Sequence, residues 1–197
     1  MDFAKAKENF EKHKFSVQVF ATGKEAVAYL KEKIQGETVG FGGSATLREL
    51  GLYEALSEKN VVAWHHQIPS ENMRRQAVQS HIYISSANGC AETGEIVNID
   101  GAGNRLAATM YGPKQVYFVI SRNKLTPDLP SAMARAKNVA APKRAAQLHC
   151  KTPCAVKQDH CYDCNSPDRI CRGTLILERA MALTPTEIIF IDEDHGL

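Results

Sequence analysis

Four cysteines lie close together near the C-terminal end of the sequence, in the spacing Cys154-x6-Cys161-x2-Cys164-x6-Cys171. Pro, Asp and Asn residues between them disfavour a regular helix or strand. Such a polar loop buries little apolar surface, so it needs a cross-link to become ordered. Four thiolates can supply one by holding zinc or an iron–sulfur cluster. The sequence therefore predicts a metal-binding segment at 149–172, with these four cysteines as ligands.

The spacing of the cysteines leaves the identity of the metal open. Cys161 and Cys164 form a Cys-x2-Cys pair typical of zinc sites, whereas the other two thiols stand six residues outside it. Uneven spacing also suits a [4Fe–4S] cluster, which we expect here with zinc as the alternative. Disulfides are a competing interpretation. However, the N-terminal residues MDFAKAKENFEKHKF lack the apolar core of a signal peptide, which favours a reducing cytoplasm.

A second candidate site is the segment VGFGGSATLR at 39–48, which has the pattern of a strand, a glycine turn and a helix. Gly42 and Gly43 would let a ligand approach the backbone closely, and Ser44 and Thr46 would add hydroxyl donors. An anion such as phosphate or carboxylate would suit this turn. The spacing matches neither a P-loop nor a dinucleotide-binding motif, so a helix merely capped by Ser44 is the alternative.

A third segment, SANGCAETGE at 86–95, follows the strand-like run HIYIS at 81–85. Open α/β sheets bind ligands beyond the carboxyl ends of their strands. Asn88, Glu92 and Thr93 are therefore expected to face a crevice, with Glu92 as a general base or nucleophilic carboxylate. On residue types alone, a surface turn with a solvated Glu92 is the more frequent outcome.

Cationic and imidazole side chains follow other strand-like segments. Arg105 follows a glycine-rich turn, and Arg122 and Lys124 follow the apolar run VYFVI; all three are either partners of an anion or solvated charges. His65 and His66 are candidates for metal binding or proton transfer, although structural histidines are commoner. The predicted ligand-binding residues are Gly42, Gly43, Ser44, Thr46, Asn88, Thr93, Gly94, Asn104 and Arg105.

The elements that must position these residues alternate between strand-like and helix-like patterns along the whole chain. Residues 3–13 and 128–148 have helical periodicity, with a break or kink expected at Pro142, whereas 38–41 and 116–120 are short apolar runs. This alternation predicts an α/β fold, a three-layer Rossmann-like arrangement with a mainly parallel sheet between helices. We expect one domain over the 197 residues, with the cysteine-rich loop as a C-terminal elaboration.

The composition narrows the classes of partner. Hydrophobic residues make up 44% and charged residues 23% of the chain, which is typical of a soluble globular protein. A net charge of +2 argues against a nucleic-acid surface, and no apolar run is long enough to span a bilayer. The expected partners are an anionic small molecule, a redox partner protein and further copies of the chain in a homo-oligomer.

These motifs together resemble the LUD-domain family, named for lactate utilization, and in particular its small, single-domain, cysteine-containing members. The resemblance spans nearly the whole chain, and its segments occur in the expected order. The matching segments are GFGGSATLRELGL at 40–52, ANGCAETGEIVNIDGAGNRLAATMYGPKQVYFVISRNKL at 87–125, KTPC at 151–154 and CYDCNSPDRIC at 161–171.

The resemblance implies a fold like that of sugar-phosphate isomerases and CoA transferases. In those relatives the glycine turn holds an anionic ligand and a glutamate near the sheet edge does chemistry. This implies ligand binding at the glycine turn of this chain and a catalytic carboxylate at Glu92. The better-known members of the family take part in oxidation of L-lactate to pyruvate, within complexes that contain iron–sulfur subunits.

The sequence thus leaves three functions open. The leading expectation is a protein that binds a hydroxy or keto acid beside a four-cysteine iron–sulfur cluster and serves lactate or hydroxy-acid utilization. The alternative is a CoA transferase-like or hydrolase-like enzyme that uses Glu92 and carries a structural zinc site. The third is a non-catalytic module whose cluster reports the redox state. Whether the protein is an enzyme is therefore not decided by the sequence.

Overall fold

Short apolar runs and helical repeats fold into alternating strands and helices over residues 2–197, the part of the chain that the computed structural model describes. None of the helices in that range is both long and apolar enough to cross a membrane. The strands are β1 (Ser16–Phe20), β2 (Thr38–Phe41), β3 (Val61–Ala63), β4 (Ile82–Ser85), β5 (Gly89–Ala91), β6 (Ile96–Asp100), β7 (Gln115–Ser121), β8 (Leu125–Thr126), β9 (Gly173–Leu177) and β10 (Thr186–Ile191). The helices are α1 (Phe3–Lys12), α2 (Gly23–Lys33), α3 (Ala45–Glu49), α4 (Leu52–Ser57), α5 (Glu71–Val78), α6 (Asn104–Met110), α7 (Leu129–Arg135), α8 (Ala141–Gln147) and α9 (Pro153–Lys157).

Six of these strands form a central parallel sheet in the order β1-β10-β7-β4-β2-β3. All six residues of β10 are buried, as expected for a strand that is covered on both faces. Helices pack on each face, so the predicted three-layer α/β fold with a mainly parallel sheet is confirmed.

The helices on the two faces come from different crossovers. Phe10 of α1, Ala77 of α5 and Ala108 of α6 pack on one face, whereas Leu30 of α2 and Leu47 of α3 pack on the other. The chain therefore leaves the neighbouring strands β2 and β4 toward opposite faces. Such a divergence opens a crevice beyond the carboxyl ends of the two strands, which is where open α/β sheets bind ligands.

A second, four-stranded sheet in the order β8-β5-β6-β9 extends one end of the molecule. β5 and β6 form its antiparallel hairpin, and the turn after β6 leads into α6. The Asp100 carboxylate accepts a hydrogen bond from the Arg105 amide, and Gly103 takes a left-handed backbone angle that turns the chain into the helix.

The helical segment predicted at 128–148 is present but changes its hydrogen-bonding pattern midway. α7 leads into a π-helical stretch at Ala136–Ala140, and α8 follows with Pro142 in its first turn. Proline has no amide hydrogen and its ring clashes with the preceding turn, which accounts for the expected break. The irregular stretch directs one side of α8 toward the crevice beside β2 and β4.

Candidate anion-binding site

A cavity of about 370 Å³ lies at the carboxyl ends of β2, β3, β4 and β7. The loops that follow these strands line it with Gly43 and Ser44, with the His65–His66 pair, with residues 86–88 and with Lys124. The turn after β6, helix α6 and helix α8 close the opposite side. The cavity therefore occupies the crevice that the topology of the sheet creates.

The charged side chains around the cavity are mostly cationic. Arg74 of α5, Arg105 of α6, Arg144 of α8 and Lys124 after β7 all line it. Among the described lining residues Asp100 is the one acidic side chain, and its oxygens accept hydrogen bonds from the Gly101 and Arg105 amides. The cationic side chains therefore outnumber the acidic one, and the site is suited to an anion.

The Arg105 guanidinium is fixed against the backbone at two points. Its Nη1 donates to the Gly43 carbonyl at 3.1 Å and its Nη2 donates to the Ile99 carbonyl at 2.6 Å. The buried Nε–H has no hydrogen-bond partner within the described residues. Buried polar groups are normally paired, so an unpaired N–H on a residue that lines the cavity points to a partner that is bound there.

Lys124 is buried beside the cavity, with 4% of the residue exposed. Its Nζ donates to Thr46 Oγ1 at 2.5 Å and to Ser86 Oγ at 2.8 Å. Burial and the neighbouring charges of Arg135 and Arg105 lower the pKa of Lys124 to about 7. Near neutral pH this side chain is therefore a mixture of amine and ammonium.

His65 and His66 place two imidazole rings beside the glycine turn. Their ring centres are 4.7 Å apart, and the Nδ1 atoms of both are buried without a partner in residues 2–197. Burial lowers the pKa of both rings, that of His66 to about 4, so both are neutral at pH 7. A Cβ atom on Gly43 would lie 3.1 Å from His66 Nε2, which is closer than an ordinary Cβ contact, so a side chain at this position would crowd the imidazole ring.

Five of the residues predicted to bind a ligand line this cavity, and two others support it. Thr46 contacts Lys124, and Gly42 packs so closely that a Cβ atom there would lie 2.9 Å from Ser85 Oγ. Ser44 both lines the cavity and caps α3, because its Oγ accepts from the Leu47 amide. The predicted residues that line the cavity are Gly43, Ser44, Asn88, Asn104 and Arg105.

Glu92, Thr93 and Gly94 lie elsewhere, beneath helix α1. The Glu92 carboxylate accepts a hydrogen bond from the Asp2 amide at 2.9 Å and forms an ion pair with Lys5 at 2.7 Å. These two contacts lower the pKa of Glu92. Strand β5 separates Glu92 from Asn88, so the structure does not bring the carboxylate to the cavity. A catalytic role for Glu92 stays a prediction.

The cysteine-rich segment is ordered by an arginine. Arg169 donates to the carbonyls of Cys164 and Cys171 and to the Asp163 carboxylate. Cys171 and Cys161 line a small cavity of about 100 Å³, and Cys171 also lines the large one. The segment therefore adjoins the anion site, and the hydrogen bonds of Arg169 hold its parts together.

The four predicted cysteine ligands do not converge in this arrangement. No three His, Cys, Asp or Glu side chains within residues 2–197 are placed so that they could share a metal ion. The sulfur of Cys154 contacts Thr152 Oγ1, and that of Cys161 accepts from the Asp163 amide. The thiols as arranged thus do not fit a metal centre, and the iron–sulfur cluster and its zinc alternative stay predictions.

Alkylation of the native protein is expected to label the other five cysteines but not Cys90. Cys90 is fully buried and burial raises its pKa, whereas the others are partly exposed. A thiol must be accessible and ionised to react, so Cys90 should be labelled only after unfolding. Peptide mapping by mass spectrometry measures this pattern.

The same measurement after reconstitution with iron and sulfide tests the predicted cluster. Cluster formation should protect Cys154, Cys161, Cys164 and Cys171 while Cys150 stays reactive. Equal labelling of all five with and without reconstitution would contradict the predicted ligand set.

Comparison with known proteins places the fold in a family. The model of the LUD domain matches residues 3–191. The structure is similar to that of a DUF162 family protein from Deinococcus radiodurans, with a TM-score of 0.55 and 10% identity over 96% of this chain and 95% of that chain. At this identity the likeness concerns the fold alone. No curated protein matches the chain. Because the family model covers nearly the whole sequence, this chain belongs to the LUD-domain family.

Proposed function

We propose that the protein binds a small hydroxy or oxo acid in the cavity and serves hydroxy-acid utilization. The observation that carries this proposal is the set of four cationic side chains around one cavity, with Asp100 as the one acidic side chain among the described lining residues. A ligand that brings its own carboxylate would neutralise them. Charge-assisted hydrogen bonds are shorter and stronger than neutral ones, most of all where water is excluded.

The neutral groups of the site suit the second functional group of such an acid. The orphaned Nδ1 atoms of His65 and His66 can donate or accept, as their tautomers require. A hydroxyl or carbonyl oxygen next to the carboxylate needs such partners. The Arg105 Nε–H offers one further donor close to the glycine turn. These groups support a hydroxy or oxo acid over a simple inorganic anion.

Membership of the LUD-domain family supports the same class of ligand, because the family is named for lactate utilization. The predicted iron–sulfur cluster is a separate proposal on which ligand binding does not depend. In the present arrangement the residues of this chain that would act on a ligand are the cations and the imidazoles of the cavity.

Replacement of Arg144 by glutamine is expected to weaken the binding of pyruvate and L-lactate by about tenfold, since a charged hydrogen bond contributes about 1.5 kcal/mol or more. Arg144 lines the cavity, and within residues 2–197 its side chain makes one hydrogen bond, to Gln147 on the same helix. The substitution should therefore leave the fold intact. Isothermal titration calorimetry at low salt measures the affinities.

Lys143→Gln provides a matched control for this experiment. Lys143 stands next to Arg144 on α8 but is exposed and does not line the cavity. The two variants lose the same charge from the same helix. Equal affinities of the two variants, or no binding of either acid by the wild type, would contradict the proposed function.

A further inference from the structure

We infer that Lys124 forms an imine with the carbonyl group of an oxo acid bound in the cavity. This inference rests on the proposed function and narrows its ligand to an acid with a ketone or aldehyde group. It also assigns the protein a covalent step in which the amine of Lys124 is the nucleophile.

The position of Lys124 supports this assignment. The residue follows β7, a central strand, and its Nζ is held at the cavity by Thr46 Oγ1 and Ser86 Oγ. Both partners are neutral hydroxyls, and two hydroxyls engage at most two of the three ammonium hydrogens. The nitrogen is therefore fixed in place with one direction left for a ligand.

The absence of a counter-charge distinguishes Lys124 from a structural lysine. Within residues 2–197 no carboxylate forms an ion pair with its Nζ, whereas Lys33, for example, contacts Glu187 at 2.7 Å. A buried, unpaired ammonium is unfavourable, and an apolar side chain would fill the same space at lower cost. Desolvation beside other cations is the usual means of activating a lysine nucleophile, and burial with Arg135 and Arg105 lowers the pKa of Lys124 to about 7.

The chemistry is balanced without any further reactant. The neutral amine attacks the carbonyl carbon and forms a C–N bond, and the carbonyl oxygen then leaves as water with the two hydrogens of the amine. Arg105, which also approaches Lys124, is placed to hold the carboxylate of the acid. The neutral His65 and His66 on the same cavity can carry the protons that this exchange moves.

Reduction with borohydride in the presence of pyruvate tests the inference. Borohydride converts the imine to a stable amine, so the chain should gain the mass of pyruvic acid less one oxygen atom. Proteolysis and mass spectrometry should locate the adduct on Lys124. Because an ordinary lysine is almost fully protonated near pH 7.5, Lys124 should be labelled on the order of 100-fold more than the exposed Lys143.

Lys124→Met should abolish the adduct, whereas Lys143→Met should retain it. Locating the adduct by peptide mapping of the wild-type protein keeps the test valid even if the Lys124 variant folds poorly. Labelling spread over surface lysines, or no labelling although calorimetry shows that pyruvate binds, would overturn the imine and leave the proposed function standing. If pyruvate neither binds nor labels the chain, both proposals fail.

Discussion

Replacing Arg105 with methionine is expected to weaken pyruvate binding by about 30-fold, which corresponds to about 2 kcal/mol. The guanidinium lies at the glycine turn with a buried Nε–H that no group within residues 2–197 accepts. We therefore expect this guanidinium to be one of the donors that hold a ligand carboxylate in the cavity. Methionine keeps much of the length of the side chain but removes its charge and all of its donors.

The same substitution should lower the stability of the protein. It leaves the carbonyls of Gly43 and Ile99 without their arginine donors, and unpaired buried acceptors are unfavourable by about 1–3 kcal/mol each. The two acceptors together amount to about 2–6 kcal/mol, and 1 kcal/mol shifts the melting temperature by about 2–4 °C in a chain of this size. A decrease of at least about 4 °C is therefore expected in scanning calorimetry. Binding must therefore be measured at a temperature at which the variant is folded.

Arg105→Lys separates the contribution of charge from that of geometry. Lysine restores the positive charge but cannot donate to two carbonyls and a ligand in the fixed fork of a guanidinium. We expect it to recover part of the affinity and little of the stability. If Arg105→Met and the wild type bind pyruvate equally well, Arg105 has no part in the site.

The parallel sheet and the position of the cavity could be predicted from the sequence because both follow from local patterns. Each buried strand is a short apolar run, and the carboxyl ends of such strands are where α/β sheets bind ligands. Gly43, Ser44, Asn88 and Arg105, four of the residues predicted to bind a ligand, do line one cavity, and ligand binding by them stays a prediction. It did not anticipate a separate second sheet, because β8 and β9 join it through partners distant in sequence.

Neighbouring positions along the chain were a poor guide to which side chains meet. Glu92 is only four residues from Asn88, but β5 carries the chain away from the cavity by about 3.3 Å per residue. Arg122 stands two residues before Lys124, and the intervening 3-10 turn leaves it at the surface in an ion pair with Asp192. A single turn or strand is enough to separate such pairs.

No pattern in the sequence indicates that two of the cationic side chains, Arg74 and Arg144, lie at the cavity. Arg74 and Arg144 occupy helices whose polar positions are read as solvated, and they reach the cavity only through the packing of α5 and α8.

The cysteine-rich loop was expected to need a metal for order. The contacts that Arg169 makes with three parts of this loop supply order by other means, and the residue types alone did not reveal them.

Between pH 7 and pH 9 the wild type is expected to gain about 2–3 kcal/mol of unfolding free energy relative to Lys124→Met. Burial disfavours the charged form of Lys124, repulsion from Arg135 and Arg105 adds to this effect, and attraction to Glu49 offsets part of it. Its pKa is therefore about 7 in the folded protein, against an ordinary value of 10.5.

The direction of the effect follows from proton binding in the two states. Above pH 7 the folded protein has lost the Lys124 proton while the unfolded chain keeps it, so the unfolded state binds more protons and stability rises with pH. Below pH 7 both states are protonated, and the buried ammonium destabilises the wild type. Lys124→Met lacks this charge and should be the more stable protein at pH 6.

Urea denaturation at a series of pH values from 6 to 9 measures this difference, with reducing agent present to keep the cysteines free. Subtracting the curve of Lys124→Met removes the contributions of the other titrating groups, including His65 and His66. Lys143→Met is the matched control, because Lys143 is exposed and does not line the cavity, and the curve of this variant should run parallel to that of the wild type. If the Lys124 and Lys143 variants both run parallel to the wild type, Lys124 stays fully charged at pH 9, and it cannot then supply the neutral amine that imine formation requires.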